Sequence, residues 1–383
     1  MSVRKILAIF ISMMLTVPLM AGCGNASGDS GSSGDSDKIK IGVSIWSSTD
    51  VLGVQCKRIL DKAAEVLGDV ELVYIDQGHV SEKVTASVET LVHEGCQGVI
   101  LCNSTDKEMP PVIHTCEDSE VYLAQFFRVI SEEDSADIYE QARESAYYIG
   151  AVHENEVENG KKLVQILLDK GCRNIGLIGW EQGDSTWLRR WEGYKAGVDQ
   201  WNTEHFDDPA VLFGPQYAGT TAEGGAKAAE SMMNENPNMD ALIPAGGGGE
   251  PLKGAVDAVI DAGKKDKIKI VSTDFLPNLG ELLADGPVAG ESGGHYCDPL
   301  YAFMLVYQAI KGKNTGIAGI FENIEFPYLY ISSKEDYQVY EKYFIDRLPY
   351  TDDEIREMAT MDMFALKEKA QALSIEDVQT RLK

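Results

Sequence analysis

Trp46-Ser47-Ser48-Thr49-Asp50 sets an indole, three hydroxyls and a carboxylate side by side, directly after an apolar run. An indole packs flat on the CH face of a pyranose and hydroxyls exchange hydrogen bonds with its OH groups. Trp46, Ser47 and Thr49 are therefore candidates for holding a small polar ligand. Patterns that make or break bonds are missing. Gly183-Asp184-Ser185 lacks the Gly-x-Ser-x-Gly of a nucleophile elbow. The run Gly246 to Gly249 is followed by Glu250-Pro251 and not by Lys-Ser/Thr, so it is no phosphate loop. Cys56, Cys96, Cys102, Cys116, Cys172 and Cys297 form no CxxC pair and no Cys/His cluster at metal spacing. Buried structural thiols are expected, with a Cys102–Cys116 bridge left open. The residues point to binding, not catalysis, and to no cofactor or metal.

The elements that must position these residues follow a regular alternation. Ile39–Ile45 reads as a strand, and Val51–Leu67 as an amphipathic helix ending at Gly68. Val70–Ile75, Val99–Cys102 and Val121–Gln125 continue a first strand series. After the polar stretch Ser131-Glu132-Glu133-Asp134 a second series runs through Ile175–Ile178, Ala210–Phe213, Ala241–Ile243, Ile268–Val271 and Val288–Gly290. Helices fill the gaps, near 155–170, 187–203, 220–235, 250–262 and 277–284. Strands alternating with helices at this spacing predict an α/β fold of two doubly wound parallel-sheet lobes. Ligands in such sheets bind outside the carboxyl ends of the strands.

The N-terminus reads as an address. Arg4 and Lys5 precede an apolar stretch from Ile6 to Met20, the order of a signal peptide. Met20-Ala21-Gly22-Cys23 resembles the lipobox of bacterial lipoproteins, with Met20 where Leu is usual. That resemblance implies a signal peptide over 1–22 and lipidation of Cys23. After Cys23, residues 24–37 are Gly, Ser, Asn and Asp with one Ala, so 23–37 reads as a flexible tether. The formal charge is −27, and two of the 34 basic residues lie in the leader. Such a field repels phosphate backbones, so no nucleic acid partner is expected.

Six short motifs in register resemble the type I periplasmic binding proteins, the sugar-binding branch typified by ribose- and galactose-binding proteins. They are Lys38 to Trp46 with Leu72 to Asp76, Gly95 to Asp106, Arg190-Trp-Glu-Gly193-Tyr194, Asn236 to Ile243, Gly254-Ala255 and Ser272-Thr-Asp274. The likeness covers roughly 38–350. It implies two lobes joined by a three-segment hinge that close on a ligand. The crossings map near Ile149, Gly294 and Asn323, giving lobe one 38–149 plus 295–322 and lobe two 150–294 plus 323–383. The helical periodicity of Thr351–Leu373 and Ile375–Leu382 exceeds the family's usual end and is expected to cover lobe two.

The same resemblance implies the pocket. Trp46, Ser47 and Thr49 meet the ligand from the first loop, and Asn103 either orients it or caps the next turn. The family's Asp-Arg pair after the fourth strand maps to Gln125-Phe126, a departure that trades a charged clamp for an amide and a ring. Arg190 fits the R-x-x-G-[F/Y] position, where a guanidinium fork suits hydroxyls or a carboxylate. Trp187, a turn earlier, is a second wall. Asp274 matches the cleft aspartate, Gly247 falls where the family has an asparagine, and His295 stands where Gln or Asn is usual. The resemblance implies a monomeric, non-enzymatic binding component of an ABC importer for a sugar-like solute, delivering to a permease. Two alternatives stay open: a nucleoside ligand, stacked by Trp46, Phe126 and Trp187, or presentation of the ligand to a membrane sensor kinase. Gly24 after Cys23 favours a single-membrane cell, with the domain held by its lipid anchor on the outer face of the cell membrane.

Overall fold

A computed structural model of the chain describes residues 38–246, 250–313 and 321–383. Cys23, the leader, the tether and Gly247 lie outside the described residues. Among the described residues no helix is long and apolar enough to cross a membrane.

Lobe one is a parallel sheet built from β1 (Ile39–Ile45), β2 (Val70–Asp76), β3 (Gly98–Leu101), β4 (Tyr122–Phe126) and β5 (Tyr148–Glu154). Lobe two is built from β6 (Asn174–Gly179), β7 (Val211–Leu212), β8 (Gln216–Tyr217), β9 (Ala241–Pro244), β10 (Lys269–Thr273) and β11 (Val288–Gly293). Then β12 (Ile324–Phe326) returns to the first sheet and β13 (Leu329–Ile331) to the second. The spatial orders are β12-β5-β4-β3-β1-β2 and β13-β11-β10-β9-β6-β7, with β8 also on β6. All pairs are parallel except β11 with β13. Each sheet reverses its winding beside its first strand, which opens a crevice at the carboxyl ends there.

Central strands read as near-continuous apolar runs because helices cover both faces. Alternate residues serve opposite sides. Ile100, Cys102 and Ala124 pack in one cluster with the helices Val51–Leu67 and Asp298–Ile310. Val99, Leu101 and Leu123 pack in another with Ser81–His93 and Met109–Asp118. Cys102 and Cys116 therefore belong to opposite faces of the sheet, and all six thiols are free and buried. In lobe two the helices Glu156–Asp169 and Ser185–Glu204 cover one face. The helices Ala222–Glu235 and Glu250–Asp261 cover the other.

The sheets move two of the expected boundaries. The first crossing follows Glu154 and not Ile149, because β5 pairs with β4 as far as Phe126↔Val152 and with β12 at Phe326↔Glu154. The third lies at 327–328 and not at Asn323, because β12 still belongs to the first sheet. The second falls at Gly294, whose φ of 80° suits glycine. The polar stretch after β4 is a helix, Glu132–Glu144, with Ser131 accepting from the Asp134 amide as its N-cap.

The C-terminal helices Asp352–Met358 and Met363–Gln371 cover lobe one, which corrects the expectation that they pack on lobe two, while Ile375–Arg381 packs against residues 334–345. Their cause is the helix Asp298–Ile310, buried along nearly its whole length. A helix apolar all round needs partners on two sides. The sheet takes one side, the helix Val51–Leu67 packs beside it, and the C-terminal segment meets the rest at Tyr350, Met358 and Met361. Gln308 donates to the carbonyls of Met358 and Met361 at 2.7 and 3.1 Å, and the hydroxyls of Tyr301 and Tyr350 meet at 2.9 Å.

Candidate functional site: the cleft between the lobes

The loop after β1 is self-braced. Asp50 caps the helix Val51–Leu67 by accepting from the Gly53 amide at 2.7 Å, and Trp46 Nε1 donates to its other oxygen at 2.6 Å. Burial raises the Asp50 carboxyl above its ordinary value. Ser47 Oγ accepts from the amides of Thr49 and Asp50, so that hydroxyl closes the turn, while Thr49 is exposed.

From Trp46 a chain of rings runs across the cleft to the hinge. The indole stacks on His79 at 5.8 Å and 5° and leans on Phe127 at 5.7 Å. Phe127 meets His295 edge-on at 5.0 Å, and His295 meets Tyr328 at 4.9 Å. His79, Phe127 and Asp274 follow β2, β4 and β10, and all three hold positive φ, at 53°, 58° and 75°. Left-handed backbone is uncommon for such residues and is retained where the surroundings enforce it, often at functional sites. Three cases facing one cleft single it out.

Charged groups line the second wall. Arg190, 4% exposed, reaches Glu156 with Nε to Oε2 at 2.6 Å and Nη2 to Oε1 at 3.0 Å. Tyr328 OH donates to the same carboxylate at 2.9 Å. Burial works against ionisation of Glu156, but Arg190 and Tyr328 hold the carboxyl below its ordinary range. Trp180 stands 5.3 Å from the Arg190 guanidinium and donates to the Gly246 carbonyl at 2.9 Å. Arg190 Nη1 and Arg128 Nε are buried with no partner among the described residues. His295 Nε2 lies 3.2 Å from Asp274 Oδ1, and burial lowers the imidazole's pKa, which keeps the ring neutral. Behind these groups the buried carboxyls of Glu154 and Asp298 face each other. Burial pushes Glu154 up to about 8 and Asp298 well above its usual range, so the pair retains protons.

The structure brings Trp46, Arg190, Asp274 and His295 to the cleft. Asn103, Gln125, Phe126 and Trp187 are turned to other work. Gln125 Nε2 donates to Asn103 Oδ1 and Tyr148 OH donates to Gln125 Oε1, both at 2.6 Å. Asn103 Nδ2 donates to the Thr105 carbonyl, so both amides are committed inside lobe one. Phe126 ends β4 and packs in the core. The residues beyond that strand are Phe127-Arg128, and Arg128 Nη1 donates to the Phe127 carbonyl at 2.9 Å. Trp187 is fully buried in lobe two against Tyr194, over Gly179, where an added Cβ would stand 2.7 Å from the indole nitrogen. Trp180, beside the Arg190 guanidinium and bonded to the Gly246 carbonyl, is the lobe-two indole that stands next to Arg190. Reading the strand ends one or two residues later exposes Phe127, Arg128 and Trp180 as loop residues.

This arrangement, two doubly wound lobes with polar and aromatic groups facing across a hinge, defines a ligand-binding cleft. The profile of the family described as periplasmic binding protein domain matches residues 41–314, and the chain belongs to that family. A D-ribose/D-allose-binding protein of Pseudomonas aeruginosa is 23% identical over 204 residues, which cover 52% of this chain and 59% of that protein. The aligned stretch is thus less than two-thirds of the relative's length. Among solved structures, a Mycobacterium smegmatis protein in complex with β-D-fucofuranose superposes with a TM-score of 0.65 at 17% identity, covering 84% of this chain and 97% of that one. An ABC transporter solute binding protein from Bacillus halodurans with bound myo-inositol gives 0.65 at 20%, covering 81% and 99%. At these identities the likeness shows the fold.

Proposed function

We propose that this chain is the solute-capturing component of an ABC importer, closing its two lobes on a sugar or sugar-like polyol. The observation that carries this reading is the cleft itself. A stacking indole and a left-handed Phe127 come from one lobe, and two guanidiniums with N–H groups to spare come from opposite lobes. Rings that accept CH faces beside forked donors suit a compact polyhydroxylated ligand. The named relatives support it, since they are described with ribose, allose, fucofuranose and inositol. In the same reading Cys23 carries a lipid that holds the domain outside the cytoplasmic membrane, within reach of a permease.

The test is the melting temperature of residues 38–383 against monosaccharides, polyols, nucleosides and amino acids. A ligand at a thousand times its Kd stabilises by about 4 kcal/mol, a shift of several degrees. A shift confined to sugars or polyols supports the proposal. A shift with nucleosides alone transfers the cleft to base stacking, and silence across the panel removes the small-polyol reading.

A further inference from the structure

The type I family resemblance implies three chain crossings between the lobes, and this chain makes a fourth. The helix Lys334–Tyr340 is anchored on lobe two. Tyr337 OH donates to the Pro277 carbonyl at 3.0 Å, and its ring lies over Gly280, whose added Cβ would meet Tyr337 Cδ1 at 2.6 Å. Tyr340 meets Phe275 edge-on at 4.7 Å. Only a few residues later the chain is anchored on lobe one. Tyr296 OH donates to the Phe344 carbonyl at 2.8 Å and Arg58 to the Ile345 carbonyl at 2.5 Å. Beyond that, Lys62 pairs with Asp352 at 3.1 Å and Lys367 pairs with Glu322, so the remaining chain is fixed to lobe one as well.

The span between the two anchorages, Glu341 to Ile345, is a π-helical turn closed by the Asp346 amide on the Glu341 carbonyl at 2.8 Å. Such wide turns are rare and recur at functional positions. Any rotation of one lobe against the other must be absorbed between Tyr340 and Phe344, or it must pull Tyr337 and Tyr340 off lobe two.

We propose that residues 334–350 form a strap across the hinge that limits how far the lobes separate when the cleft is empty. The strap acts as a short tether: the chain between the anchors has almost no slack, so large opening requires one anchorage to detach. The helices beyond Tyr350 serve to root the strap's far end on lobe one. This inference rests on the two-lobe fold and not on the identity of the ligand.

Two variants of the full described domain test it, each labelled at Glu82→Cys on lobe one and Lys227→Cys on lobe two, both exposed positions. A four-residue Gly/Ser insertion after Lys342 adds about 10 Å of flexible reach. Tyr337→Ala removes two of the three lobe-two contacts, the bond to Pro277 and the ring over Gly280, and leaves the lobe-one cover in place. Ligand-free label separation is read by distance-sensitive fluorescence or electron spin resonance, with thermal melts as the check on folding. The expected result is a separation in both variants wider by several ångströms, and more broadly distributed, than in the unmodified chain. An unchanged separation in a variant that melts normally overturns the strap. Should the insertion fail to fold, Tyr337→Ala decides alone.

Discussion

Arg190 and Glu156 are locked together by two bonds, of 2.6 and 3.0 Å, while the guanidinium keeps Nη1 without a partner among the described residues. Glu156 holds the fork still and the remaining N–H is what it has to offer. Removing one member of a buried pair costs about 3–5 kcal/mol, since the other charge is left uncompensated. Glu156→Gln is therefore expected to lower the melting temperature and to weaken ligand binding together. A variant with wild-type stability and affinity would show that the pair is ornamental.

Trp46 and Trp187 separate two roles that one residue type can play. Trp46→Ala is expected to weaken ligand binding about 30-fold, the ~2 kcal/mol of a stacked aromatic anchor, with little change in melting. Trp187→Ala empties the lobe-two core and is expected to cost about 3–5 kcal/mol of stability. Denaturant melts and titration calorimetry on both variants check the contrast, and equal losses of affinity at wild-type stability would return Trp187 to the cleft.

Arg128 gives a third prediction. Its Nη1 donates to the Phe127 carbonyl at 2.9 Å and its Nε is buried without a partner among the described residues. Arg128→Lys keeps the charge and loses the planar fork. Ligand affinity is expected to fall about tenfold, the ~1.4 kcal/mol of one good hydrogen bond. Unaltered affinity would mean that the ligand does not reach this residue.

Acid and alkali should act unequally on this fold. Burial raises Glu154 from 4.5 to about 8, and Glu291 likewise. Both groups bind their protons more tightly folded than unfolded. Their stabilisation is complete below pH 4.5 and is lost as pH climbs towards 8. Each contributes a decline of up to about 1.4 kcal/mol per pH unit in that window. Urea melts from pH 5 to 8.5 should show stability falling, and Glu154→Gln should make the slope shallower, with the share of Glu291 remaining. A wild-type profile level across this range would contradict the buried, protonated state.

The architecture was legible where burial is two-sided. Ile39–Ile45 shows no helical period, is too short for a helix and is followed by the amphipathic helix Val51–Leu67, so the parallel sheets could be read directly. The helix Glu132–Glu144 escaped notice because it buries only Ala142 and so carries no apolar stripe. The cleft was read with errors of one or two positions. Tyr122 to Phe127 is a continuous apolar and amide run, in which nothing marks where the strand stops and the loop begins. Trp187 and Arg190 share a helix face by spacing, but spacing does not say that the indole points at the sheet. Gly179, where an added Cβ would meet that ring, was the available clue. The cover over the helix Asp298–Ile310 was also predictable, since a segment with no polar face cannot end a domain's surface.

Six thiols lie inside the described residues, and burial pushes each of them upward, Cys96, Cys102 and Cys172 to about 11 and Cys116 to about 12. Thiolate, not thiol, reacts with alkylating and oxidising agents. In the native state these sulfurs are chemically silent, and they answer only when the polypeptide around them comes apart. The cysteines are spread over three separate apolar clusters, so the order in which they take up a reagent would act as an internal clock, reporting which region gives way first.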